Sequence, residues 1–166
     1  MTERLHDTTL LSRRMALATL VAMPLMLVPA ILAGQRSPLV LEEFLPECTA
    51  SISACWHLMM GDGLATVEYA LPKYLPLLVA LARQPSKYQS TAGYLAAQGS
   101  LLMDLVSYHQ LRFRTELAYT KQAVELAQVS GSRNLYIYAL TFLGGHSSLT
   151  DNSRPCCRHI KRLSTI

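Results

Sequence analysis

The residues best equipped for chemistry are scattered. Cys156, Cys157 and His159, with His146, are zinc-ligand types, but adjacent cysteines seldom converge on one tetrahedral ion. Their spacing matches no standard site and reads as a free polar tail. Cys55, Trp56 and His57 place a thiol near an imidazole. Neighbouring helix positions point about 100° apart, so these groups do not face each other as a nucleophile and its base. Cys55 reads as a core residue and His57 as an exposed or capping one. Cys48 lies seven residues before Cys55. That is two helical turns, roughly 10 Å, too far for a disulfide between them. His109 suits a helix C-terminus, where a cation is favoured. Glu42, Glu43, Glu68, Asp104, Glu116 and Glu125 are spread along the chain, so no carboxylate pair is marked for acid–base work. Gly61-Asp62-Gly63 and Gly144-Gly145 lack the strand and lysine of a phosphate loop. These residues predict no catalytic, metal or cofactor site, and a protein that is not an enzyme.

The elements that carry these residues read as helices. The 166 residues are 51% hydrophobic and only 16% charged. That is enough for one real core and too apolar for general disorder. The net charge is +4, and most of it is local. Arg154, Arg158, Lys161 and Arg162 stand against Asp151 in residues 146–166, a disordered basic tail. The rest balances eleven basic against ten acidic side chains. No basic face runs along the body, so nucleic-acid binding is not expected of it.

Ile52, Cys55, Trp56 and Met59 follow helical spacing, giving a helix over 47–60. Before it, Leu39–Leu45 forms a short apolar stretch closed by Pro46. Gly61-Asp62-Gly63 suits a left-handed stop. The next helix spans Leu64–Arg83. Pro72 and Pro76 within it predict a kink or a split near Ala70–Tyr74. Ser86 is the candidate N-cap of a helix running from about Lys87 to Tyr108. In that helix Ala92, Gly93, Ala96, Ala97 and Gly99 permit close approach by a neighbour. A turn at His109–Arg112 precedes a helix over Phe113–Val129. Ser130-Gly131-Ser132 ends it, and a last helix begins near Asn134. No stretch alternates over a strand's length, so the fold class is all-α, built from antiparallel helical hairpins.

The N-terminal 1–14 reads as flexible. Met15–Gly34 carries no charge and, as one helix, would cover about 30 Å, the thickness of a bilayer core. Three roles compete: a membrane anchor, a cleavable export signal in which Ser12-Arg13-Arg14 resembles a twin-arginine motif, and a hydrophobic helix of a soluble body. Membrane association or export is the favoured reading, and a cytoplasmic protein its alternative.

Tyr119-Thr-Lys-Gln-Ala123-Val-Glu-Leu-Ala127, then Gly131, then Ala139-Leu-Thr-Phe-Leu-Gly144, resembles the tetratricopeptide-repeat region of large bacterial transcriptional regulators. Cys55-Trp56-His-Leu and Gln84-Pro-Ser-Lys-Tyr88 look like its lead-in helices. The likeness covers 39–145. It implies a right-handed repeat fragment whose concave surface holds a peptide, a partner protein or another copy. Leu101-Leu102-Met103 aligns with Thr141-Phe142-Leu143 at an offset of 40 residues, longer than the minimal repeat of about 34. The small positions of the pattern fall on Asp104 and Glu116, so the repeat is divergent. After Gly145 the pattern stops, as a truncated or frame-shifted end would leave it. The last helix then lacks its partner and should show an apolar patch through Tyr136, Leu140 or Leu143.

The resemblance implies a protein–protein interaction module without catalysis, a fragment of a bacterial regulator. The alternative is a small membrane-anchored or exported helical protein of structural role. The expected partner is a protein or peptide, or a second copy through the uncovered last helix, with the membrane met through 15–34. The expected contact residues are Tyr94, Gln98, Tyr108, Arg112, Lys121 and Glu125.

Overall fold

The computed structural model describes residues 15–21, 24, 27–29, 38–61 and 63–145. Among these the chain is all helical, with no strand. In chain order the helices are α1 (15–21), α2 (Pro38–Met59), α3 (Leu64–Ala82), α4 (Gln89–His109), α5 (Phe113–Ser130) and α6 (133–145). Short turns join α2 to α6, and short turns force antiparallel neighbours. The expected flexible 1–14 and basic tail 146–166 lie outside the described residues.

Prolines account for three differences from the sequence reading. Pro46 does not close a helix, because α2 runs through it. Pro72 and Pro76 do not split α3, which is continuous. All three are exposed. Each removes one helical N–H, which leaves the carbonyl four residues back, of Glu42, Glu68 and Pro72, on the solvent side where water can satisfy it. The third difference is at Pro24. The apolar stretch 15–34 is not one continuous α-helix among its described residues: 15–21 and 28–29 are helical, with Pro24 in a 3₁₀ turn and Leu27 in a turn between them. Residues 22–23, 25–26 and 30–34 lie outside the description.

The helix ends also depart locally. Gly63 has φ −88° and Gly61 is not left-handed, so neither glycine makes a left-handed stop. Ser86 does not cap α4. Tyr88 takes that position, and Ser86 Oγ accepts from the Tyr88 N–H at 3.3 Å within the preceding turn. Gly131 ends α5 at φ 73°, a conformation that glycine adopts without strain. Ser132 Oγ then accepts from the Leu135 N–H at 3.4 Å and caps α6.

The core is continuous. Phe44, Ile52, Leu71, Tyr74, Leu78, Leu101, Leu102 and Val106 are fully buried, each worth about 1.5–3 kcal/mol of apolar burial. The small stripe of α4 does what the sequence suggests. At Gly93 an added Cβ would lie 3.2 Å from Ser130 N and 3.3 Å from Leu126 O, so the α5 backbone passes directly over it. Ser90 Oγ clasps the same end by donating to Ser130 O at 2.7 Å. On the α3 side an added Cβ at Gly99 would meet Leu75 Cδ1 at 2.9 Å. Asp104 and Glu116, which fall at the small positions of the expected repeat, are buried at 2% and 3% exposure. Thr120 Oγ1 is 2.5 Å from Asp104 Oδ1 and 3.0 Å from Glu116 O.

The N-terminal helix is docked on this body. Val21 is fully buried, and Leu17, Leu20, Leu27 and Val28 pack against the core. Ser51 Oγ donates to Val21 O at 2.9 Å and lies 2.7 Å from Tyr74 Oη. The tyrosine proton therefore points to Ser51, and the serine proton to the end of α1. Among the described helices α3 is the one long and apolar enough to cross a membrane, yet half of that window is buried inside the fold. A core helix has the same composition.

Candidate docking groove

Two adjoining depressions form one groove on the face of α2, α4 and α6. Trp56, Tyr94 and Gln98 border both. The lobe towards α6 holds about 380 Å³ and adds Leu101, Ser132, Asn134, Leu135 and Tyr138. The lobe between α2 and α4 holds about 350 Å³ and adds Thr49, Ile52, Ser53, His57, Thr91 and Leu95. Neither lobe is lined by α3 or α5.

Helical spacing builds this face. Thr49, Ile52, Ser53 and Trp56 stand at i, i+3, i+4, i+7 on α2. Thr91, Tyr94, Leu95 and Gln98 repeat that spacing on α4, which places each set on one stripe. The stripes are mixed, with Ile52 and Leu95 buried at the floor and the polar members at the rim. Trp56 Nε1 donates to Gln98 Oε1 at 3.1 Å. This bond spans α2 to α4 and fixes the indole across the centre of the groove. With its oxygen engaged, the Gln98 amide offers its N–H donors. No Asp, Glu, Lys or Arg lines either lobe.

The six expected contact residues divide among three places. Tyr94 and Gln98 share the groove. Tyr108 and Arg112 lie at the other end of α4. The Tyr108 ring meets His109 edge-on at 5.8 Å, and Arg112 reaches Glu68 at 3.8 Å. Fourteen residues separate Tyr94 from Tyr108, about 20 Å of helix. Lys121 and Glu125 are exposed on α5, away from its buried stripe of Glu116, Thr120, Ala123 and Ala127. These last four line neither lobe. Trp56, Asn134 and Tyr138 do, and they were absent from the expected set. Trp56 was legible only as part of an apolar stripe. Its partner Gln98 is 42 residues away, a separation no local pattern reports.

Cys48 and Cys55 are free and buried, while His57 is exposed. Burial pushes the Cys55 thiol up to about 11, against smaller opposing bonds to Tyr74 and Ser51. It pushes Cys48 higher still, with Glu47 adding to the effect. Among the described residues no three His, Cys, Asp or Glu side chains come together to hold a metal ion. His146, Cys156, Cys157 and His159 lie outside them.

No protein-family model, curated protein or solved structure matches the chain.

Proposed function

We propose that this chain is a tetratricopeptide-like interaction module without catalysis of its own, of the kind found in bacterial regulators, and that its docking face is the α2–α4–α6 groove. One observation carries the reading: alternate helices, α2, α4 and α6, line the groove, while α3 and α5 line neither lobe. A stack of helical hairpins presents its first helices in this way along one extended face. Aromatic side chains at such a face supply contact area at low entropic cost.

Photo-crosslinking tests it. A benzoylphenylalanine at position 94 should form a discrete adduct with a partner polypeptide in cells, and one at position 121 should not. Adducts at 121 alone would move the contact to the outer face of α5. Adducts at neither position would remove the module reading.

A second reading is favoured by the apolar helices. Membrane attachment through 15–34, or through Leu64–Ala82, would make this a small anchored or exported helical protein. Alkaline extraction of a tagged chain decides it, since a membrane-spanning chain stays in the pellet. Self-association is a third outcome. On α6, Ile137, Tyr138 and Leu140 are 49%, 46% and 38% exposed, and a second copy would cover them. Of the three residues expected there, Leu140 is exposed, whereas Tyr136 and Leu143 are half-buried.

A further inference from the structure

We infer that the groove takes an uncharged, proline-rich peptide in the polyproline II conformation. This inference rests on the groove being the docking face, and narrows what docks there.

Three features select this ligand. Trp56, Tyr94 and Tyr138 come from three helices and border the lobe towards α6. Aromatic-bordered grooves accommodate polyproline II ridges, whose rings stack flat and whose backbone is already ordered. Proline also leaves its peptide with carbonyl acceptors and no N–H, so the receptor must supply donors. Gln98 does so, because Trp56 holds its oxygen and leaves its amide nitrogen to the groove. Asn134 offers a second amide.

The third feature is low charge, with His57 at the α2–α4 lobe the one lining side chain that can become cationic. Neither lobe is lined by an Asp, Glu, Lys or Arg. A charged peptide would lose hydration there without an opposite charge in return. Other peptide modes fit less well. Strand addition needs a sheet edge, and the described residues contain no strand. A docking amphipathic helix needs a continuous apolar trough, whereas Ser, Thr, Asn and Gln interrupt this one.

Trp56 is the sole tryptophan, so its fluorescence reports occupancy without a label. The full chain is titrated with blocked decaproline, a blocked Gly/Ser decamer, an acidic decamer and an apolar helical peptide. The expected result is a saturable emission change with decaproline alone. Tyr94→Ala and Gln98→Ala should each weaken that binding about tenfold, the size of a modest hot spot. Gln98→Glu, which keeps the size and loses the donors, should weaken it as much. Circular dichroism identifies any variant that loses its helices.

A response of equal strength to the Gly/Ser decamer overturns the proline requirement. Saturation by the acidic or helical peptide instead also overturns it, while leaving the groove as the docking face. An emission change that follows protein concentration without peptide assigns the groove to a second copy and overturns it as well. Silence towards all four peptides overturns it too. If the position 94 crosslinker then also forms no adduct, the docking reading falls with it.

Discussion

Thr120→Val is the sharpest test of how α4 and α5 are held together. Thr120 is fully buried, with its hydroxyl 2.5 Å from Asp104 Oδ1 and 3.0 Å from Glu116 O. Valine fills nearly the same space and takes away only the hydroxyl. A hydrogen bond to a buried carboxyl group contributes about 1.5–3 kcal/mol, and more is lost when the acceptor stays desolvated. The added methyl returns roughly 0.8 kcal/mol of apolar burial. The net expectation is a loss of about 1–2 kcal/mol, or roughly 2–8 °C in Tm for a chain of this size. Thr120→Ser makes the opposite cut. It keeps the hydroxyl and removes one methyl, at about 1 kcal/mol or less. Urea unfolding followed by circular dichroism should therefore rank wild type above Ser and Ser above Val, with unchanged m-values. A double-mutant cycle with Asp104→Ala should show coupling of at least about 0.5 kcal/mol. If the order reverses, with Val as stable as wild type and Ser the weaker, the pocket is an apolar one and the argument for a polar clamp fails.

Other perturbations follow from the same packing. Gly93→Val drives carbon into the Ser130 and Leu126 backbone and should cost roughly 2–3 kcal/mol of overpacking. Gly99→Ala is crowded by the end of the flexible Leu75 side chain, with Leu71 Cδ1 at an ordinary 3.5 Å, and should stay within about 1 kcal/mol, so equal losses in calorimetry would contradict the distinction. With Cys156 and Cys157 replaced by serine, the Cys48 and Cys55 thiols, raised by burial, should react with Ellman's reagent only as the fold opens. Rapid labelling of the native protein would place them nearer solvent. Two glutamates should give opposite pH dependences. The Lys87 ammonium, 3.0 Å away, with the Tyr88 hydroxyl, holds Glu42 below its ordinary value of 4.5. Its contribution is present above that value and fades as pH falls through the lower folded one, so Lys87→Met should narrow the difference from wild type in strong acid. Burial, with Glu43 nearby, raises Glu47 above 4.5, and Oε2 has no hydrogen-bond partner. The folded state then keeps this proton longer and loses stability as pH rises from 4.5 through the raised value. Glu47→Gln should stabilise at neutral pH and do little in strong acid. Identical pH profiles for Lys87→Met, Glu47→Gln and wild type would refute both assignments.

The sequence made α4 and α5 legible almost to the residue, because their limits are set locally. Gly131 must be left-handed, and the small residues from Ala92 to Gly99 imply a close neighbour whichever helix supplies it. The continuity of α2 through Pro46 and of α3 through Pro72 and Pro76 is not legible in the sequence, which shows a missing N–H but not which side of the helix the orphaned carbonyl faces. Once all three face water, the penalty falls and the packed faces opposite hold the helices whole. The N-terminal stretch was ambiguous for a related reason. Hydropathy cannot tell lipid from a protein core, whereas the Tyr74, Ser51 and Val21 chain of hydroxyl and carbonyl groups is a property of three segments meeting.

Asp104 and Glu116 carry the same point from local pattern to function. In the repeat register they are faults, each a carboxylate where a small residue belongs. In the fold both are buried, and Thr120, sixteen residues beyond Asp104, supplies the aspartate with a hydroxyl. Two directional bonds, Ser90 Oγ to Ser130 O and Thr120 Oγ1 to Asp104 Oδ1, join the small-residue contact between α4 and α5. Such directional bonds favour one register, because slipping breaks both at once. The register of α4 against α5 in turn sets where Ser132, Asn134 and Tyr138 fall beside Tyr94 and Gln98. Asp104, a residue that weakens the resemblance to a repeat, therefore helps to hold the register on which the groove's shape depends, whereas Glu116 gives Thr120 only its backbone carbonyl within α5.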